Sequence, residues 1–445
     1  MFGKRKVAPA APAAYHPASP HPTGPVTERS AAPVQSFTIE EADPARQVVV
    51  RRSALEAVQA DPDAYELVGA VVDFVNAMFS HGYFLRDEMV PSALQAYHAD
   101  YYLAQVNNGG HSQFIHNCGA NAPYVWHDAS VGLHAMGAGD HAVLLERMID
   151  WAEGHPDEAG EQTGFDGARA TELDELDDTF YALEKSTPMI RLSSRWILGW
   201  PELRIVEDDE YEPAINHLAF MNPLRGERVI AGRIRSFEHQ INDWLHAATG
   251  MVAATAPESE MRLHIGGGSV MAVEGEQCMI WNVNTSRGRR FAHVTEKGAR
   301  LYECVEADNP TMPDLDDTDG MIEALRDGRM ARFRPPLVGP CLNHVEADQI
   351  AETIQYGNRF HAAAAFDLML RQVGEENESV AVSAVGATRD DDGVTTAKWL
   401  LAAGNGPFLA VVTERGAKLI RSGETMATVS VRADDILAHA EAHSG

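Results

Sequence analysis

The chain has 445 residues, 45% hydrophobic and 23% charged, which is too long for one ordinary core and apolar enough to exclude a wholly disordered protein. Its 65 acids against 36 bases give a formal charge of −29, which argues against direct binding of nucleic acid. Cys118, Cys278, Cys304 and Cys341 form no CxxC pair, and no segment reaches the roughly 18 apolar residues of a membrane span, so the reading is a soluble cytoplasmic protein with reduced thiols.

Residues 1–45 are rich in Ala, Pro, Ser and His and poor in large apolar side chains, which predicts a disordered tail. Its basic opening, with Lys4, Arg5 and Lys6, lacks the apolar run of a secretion signal and has the charge to contact the acidic face of its own chain. From Asp61 the texture changes. Asp61 as a cap and Pro62 in the first turn predict a helix carrying Leu67, Val68, Val71, Val72, Val75, Met78 and Phe79 at helical spacing, with Gly82 as its end. A second helix is predicted from about Pro91 to Asn108, with Leu94, Tyr97, Tyr101 and Gln105 in one stripe and Gly109 and Gly110 as its stop. Further helices are expected near 126–137, 140–153, 171–185 and 188–199, so residues 60–215 read as an all-helical domain.

Beyond about residue 225 the chain matches itself at a spacing of 118 residues. FAHVTEKGARLYE at 291–303 falls on LAVVTERGAKLIR at 409–421, and Trp281 falls on Trp399. Gly298 and Gly416 between apolar runs predict a hairpin in each copy. Helices at about 228–248 and 346–371 precede three or four strands, and short helices at about 319–327 and 433–442 follow them. The copies, at 225–335 and 340–445, are expected to pack as a pseudo-dimer. The fold class is therefore multidomain: an all-α helical domain followed by a tandem duplicated α+β domain.

The run YHADYYLAQVNNGGHSQFIHN at 97–117 carries the strongest local signal. Its paired aromatics, Asn-Gly-Gly turn, Gln-Phe and following Asn resemble the signature of the DNA-mimic protein DMP-nineteen family. The matching positions are Tyr101, Tyr102, Val106, Asn108, Gly109, Gly110, Gln113, Phe114 and Asn117, and LDELDDTFYAL at 173–183 is similar to a later helix of that family. His111 stands where an aromatic is usual. The resemblance covers about residues 60–215 and implies an acidic helical protein, typically dimeric, that presents carboxylates in place of DNA phosphates to a DNA-binding regulator. The motif itself reads as structural, with Gln113 or Asn117 bonding carbonyls freed at the helix stop.

Acids concentrate in the same region. Residues 140–212 hold 20 acids and 6 bases, a formal −14. The candidate partner-facing acids are Glu153, Asp157, Glu158, Glu161 and Asp166; Glu172, Asp174, Glu175, Asp177 and Asp178; and Glu207, Asp208, Asp209 and Glu210. On a helix beginning near Thr171, Glu172, Glu175 and Asp178 share one side while Leu173, Leu176, Phe180 and Leu183 face the core. The competing reading is a solvated face that serves only solubility.

No catalytic, cofactor or metal motif stands out. His111, His116, His127, His134 and His141 lack ligand spacing and no HExxH occurs, so they read as structural. Gly266, Gly267 and Gly268 lack the Lys-Ser/Thr of a phosphate loop and read as a bulge or turn. The expectation is a non-catalytic protein, without cofactor or metal, that engages a basic protein surface such as that of a DNA-binding regulator, with no direct contact to nucleic acid or membrane and with a homodimer allowed. The alternative is a scaffold or chaperone-like protein acting through the C-terminal α+β repeats.

Overall fold

Three consecutive β-branched residues form the first strand, and Val48, Val49 and Val50 are fully buried. The computed structural model describes residues 46–163, 169–310, 318–332, 334–375, 379–391, 393–404 and 406–443. The tail read at 1–45, with its Lys4, Arg5 and Lys6 contact, and Asp166 lie outside the described residues. The chain divides into two compact units, the first ending at Val229 and the second starting at Ile230.

The first unit contains β1 (Val48–Arg51), α1 (Arg52–Ala60), α2 (Glu66–Ser80), α3 (Pro91–Cys118), α4 (Ala122–Ala135), α5 (Gly139–Gly154), α6 (Pro156–Glu161), α7 (Thr171–Ser186), α8 (Met189–Ile197), β2 (Leu203–Val206) and α9 (Asp208–Phe220), and α10 (Arg225–Asn242) runs across its end. It is mostly helical, but the all-helical expectation needs correction: β1 pairs in parallel with β2, Val48 opposite Leu203. The start of α2 is also corrected. Asp61 closes α1, its N–H donating to the Ala57 carbonyl, and its side chain accepts from the Asp63 N–H, so α2 begins only at Glu66. The apolar stripe of α2 is buried as its spacing predicts, and the Gly82 N–H donates to the Ala77 carbonyl just past its end.

Two apolar clusters support this unit. One joins β1, α1, α2, the first turns of α3 and α9; the other joins the rest of α3 with α4, α5 and α7. α3 therefore runs through both.

The second unit holds α11 (Trp244–Ala254), then β3 (Arg262–Val273), β4 (Glu276–Thr285), β5 (Gly288–Thr295) and β6 (Gly298–Val305), then α12 (Thr318–Arg326), α13 (Arg329–Arg332) and β7 (Leu337–Glu346). It continues with α14 (Ala347–Arg359), α15 (Ala362–Gln372), β8 (Ala381–Arg389), β9 (Thr395–Ala403), β10 (Gly406–Thr413), β11 (Gly416–Arg421), β12 (Val429–Arg432) and α16 (Ala433–Ala442). The strands form two antiparallel five-stranded meanders, β3 to β7 and β8 to β12. Helices α11 and α14 pack on strands of both, and a single large cluster takes side chains from both sheets, including Leu301, Val345, Trp399 and Leu419. Each sheet has five strands where the sequence reads three or four.

Residues 118 positions apart pair in the same way in the two meanders. Trp281 lies opposite Ala292 and Trp399 opposite Ala410; Val294 lies opposite Ala299 and Val412 opposite Ala417. Gly298 and Gly416 close matching turns at φ 134° and 142°, where a Cβ would fall on the Val345 or Val431 carbonyl of the next strand. The triple glycine lies inside β3, where the pairing with β4 slips between Ile265 and Gly268.

Candidate partner-binding site

The Asn-Gly-Gly motif kinks α3 rather than ending it. Gly109 (φ −148°, ψ 22°) and Gly110 (φ 75°, ψ −175°) leave helical geometry, after which the helix resumes to Cys118. The restart has bare N–H groups, and α7 satisfies one: the Asp177 carboxylate accepts from the His111 N–H at 2.8 Å and from His111 Nδ1 at 2.6 Å. Arg169 holds the other Asp177 oxygen. A Cβ at position 110 would fall on that carboxylate, so both the positive φ and the crossing of α7 require glycine there.

His111 completes the packing. Its Nε2 is 2.8 Å from the Tyr102 hydroxyl, and its ring lies against Tyr102 and, edge-on, against Phe180 of α7. The histidine thus fills the place of the usual aromatic and adds two polar bonds. Gln113 and Asn117 were expected to bond freed carbonyls; they donate instead to the Gln105 side-chain oxygen, at 2.8 and 2.6 Å, bridging the two halves of α3. Tyr101, Val106 and Phe114 are buried in the same cluster.

Two further buried acids lie on the kinked helix, at Asp100, and beside it, at Asp128. Asp128 on α4 accepts from Arg86 and from His98 Nδ1; burial opposes its charge, but these bonds hold its carboxyl below the usual range. Asp100 accepts from the Tyr65 hydroxyl at 3.0 Å, and burial pushes it up to about 6. His141, on α5, lies 3.0 Å from Glu184. Sequence reasoning did not single out Asp100, Asp128 or Arg169. The signal available was an acid within the apolar stripe of a helix, as at Asp100 beside Tyr97 and Tyr101.

The predicted partner-facing acids do not share one environment. Glu153, Asp157, Glu158, Glu161, Glu172, Glu175 and Asp178 are exposed on α5, α6 and α7, and among the described residues they form no ion pair. Asp174 is exposed but bound to Arg169 at 2.9 Å. Asp177 is a correction: it is buried and serves the kink, because its position on α7 faces α3. Glu207 is a second correction, buried against Arg52, and Asp208 caps the start of α1 by accepting from the Ser53 N–H at 3.0 Å. Asp209 and Glu210 remain exposed at the start of α9, which belongs to the other apolar cluster.

On α7 the exposed acids stand on the reverse of a well-anchored helix. Leu173, Leu176 and Phe180 are buried, each worth about 2 kcal/mol of transfer free energy, and Glu172, Glu175 and Asp178 advance by about 4.5 Å per step on the outer side. Neighbouring α5 and α6 carry Glu153, Asp157, Glu158 and Glu161, and α5 packs on both α6 and α7. The exposed acids of these three helices thus sit on helices that pack on one another.

The class so defined is a helical unit built on a glycine-kinked helix that an acid from a later helix caps, with unpaired carboxylates outside. Residues 87–199, from the turn before α3 to just past α8, match the family described as DMP19-like protein. The resemblance read from the motif therefore holds over this segment, about a quarter of the chain and narrower than 60–215. No curated protein and no solved structure matches the chain significantly. No helix among the described residues is long and apolar enough to cross a membrane.

Proposed function

We propose that the protein is a non-catalytic binding protein whose first unit acts as a DNA mimic, setting the carboxylates of α5, α6 and α7 against the basic face of a DNA-binding protein. The observation that carries this reading is the outer side of α7: Glu172, Glu175 and Asp178 are exposed and without ion pairs among the described residues, inside the segment that matches the DMP19-like family. Lys and Arg of the partner would pair with them as they pair with phosphates, giving fast, salt-sensitive association. We read the second unit as two duplicated copies, on the strength of the shared register around Trp281 and Trp399.

A second reading has its own support. Val270 (65% exposed) and Met279 are directly paired neighbours in the first sheet, as are Val305 and Leu337 (63% exposed), so this sheet offers apolar side chains for a scaffold or chaperone-like role. One experiment separates the two. Basic proteins captured by the full chain at low salt are challenged with duplex DNA, which should displace the chain from them. E172K/E175K/D178K should abolish capture while V270D/M279D leaves it intact; the reverse pattern would transfer the function to the second unit.

A further inference from the structure

The corner between α10 and α11 gathers three metal-ligating side chains. His239 lies in the last turn of α10, Asp243 is the N-cap of α11, and His246 is three residues further on. Their ligand atoms all lie within 4.8 Å of one another, and the two imidazole rings have centroids 4.9 Å apart. Zinc bonds of about 2.0–2.2 Å place tetrahedral ligand atoms about 3.4 Å apart, so a small rotation of the exposed His239 closes the set.

Local structure accounts for only part of this cluster. Asp243 Oδ1 accepts from the His246 N–H at 2.9 Å and from His246 Nδ1 at 2.8 Å, which is a cap and its extension. Those bonds leave Oδ2 of Asp243, and they give no reason for a second imidazole beside the pair.

A cavity of about 380 Å³ adjoins the cluster, and His246 is part of its wall. Arg262, in the same wall, is buried, and among the described residues its Nε has no hydrogen-bond partner. Three protein ligands beside an open space are the arrangement of a zinc site that keeps one position for water or an anion.

We propose that His239, Asp243 and His246 bind one divalent transition-metal cation of the zinc class, with the remaining coordination position taken by water or a small anion. The test uses the untagged full chain, stripped with a chelator and titrated with Zn²⁺ by calorimetry and with Co²⁺ by visible absorption. One tight site per chain is expected. His239→Ala removes an exposed side chain, and Asp243→Asn keeps a competent N-cap, so both variants should retain the wild-type circular dichroism. Each should weaken Zn²⁺ binding by more than about tenfold. Absence of stoichiometric binding by the wild-type chain, or wild-type affinity in either variant, would overturn the proposal.

Discussion

The two sides of α7 carry the same residue types and do opposite work. Inside, Asp177 is buried, bonds the His111 backbone and ring, and is held by Arg169. Outside, Glu172, Glu175 and Asp178 stand in water without ion pairs among the described residues. A buried acid is a structural part whose removal strands its partners, whereas an exposed one is nearly free of consequence for folding and available to another molecule. Charge counted along the sequence cannot distinguish them. The −14 of residues 140–212 includes acids already committed to Arg52, Arg169, His111 and the start of α1.

The largest expected effect sharpens this contrast on the inner side. Asp177→Ala leaves the restart of α3 without its acceptor and Arg169 with the exposed Asp174 in place of a buried partner, and should cost about 3–5 kcal/mol in denaturant unfolding of the full chain. A loss below about 1 kcal/mol would mean that the kink does not depend on this carboxylate.

Next comes Asp100, an inner acid with the opposite sign. Its folded pKa of about 6 lies above the unfolded value near 3.9, so the folded state binds the extra proton. The stability it contributes is full below about pH 4 and is lost as pH rises through about 6. Asp100→Asn, which still accepts from Tyr65, should stabilise the chain at pH 7.5 by roughly 1–3 kcal/mol and flatten the pH dependence between 4 and 6. Equal stability of variant and wild type across that range would contradict the assignment.

Much of the helical unit was legible in the sequence because its cause is local. Most of the periodic apolar residues named for α2 and α7 are found buried, with Phe79 and Leu183 half-buried, and the inner and outer sides of α7 follow from three- and four-residue spacing. What escaped is non-local. A Gly-Gly pair reads equally as a helix end or a kink, and the acid that decides between them is 66 residues away. β1 and β2 are four residues each and separated by about 150 positions, so neither had a neighbour in sequence to declare it. Glu207 looked like part of an exposed run until Arg52 was brought beside it. His239, Asp243 and His246 match no metal motif; the legible hint was an N-capping Asp with a histidine four before and three after.

The smallest expected effect on folding belongs to the outer side of α7, and it gives the most direct test of the account. E172Q/E175Q/D178N should change unfolding free energy by no more than about 0.5 kcal/mol per site. Affinity for a basic partner should then be measured against salt concentration for the variant and the wild type. The account predicts a steep fall with salt for the wild type and a weaker, flatter dependence for the variant. Parallel curves of equal affinity would contradict it.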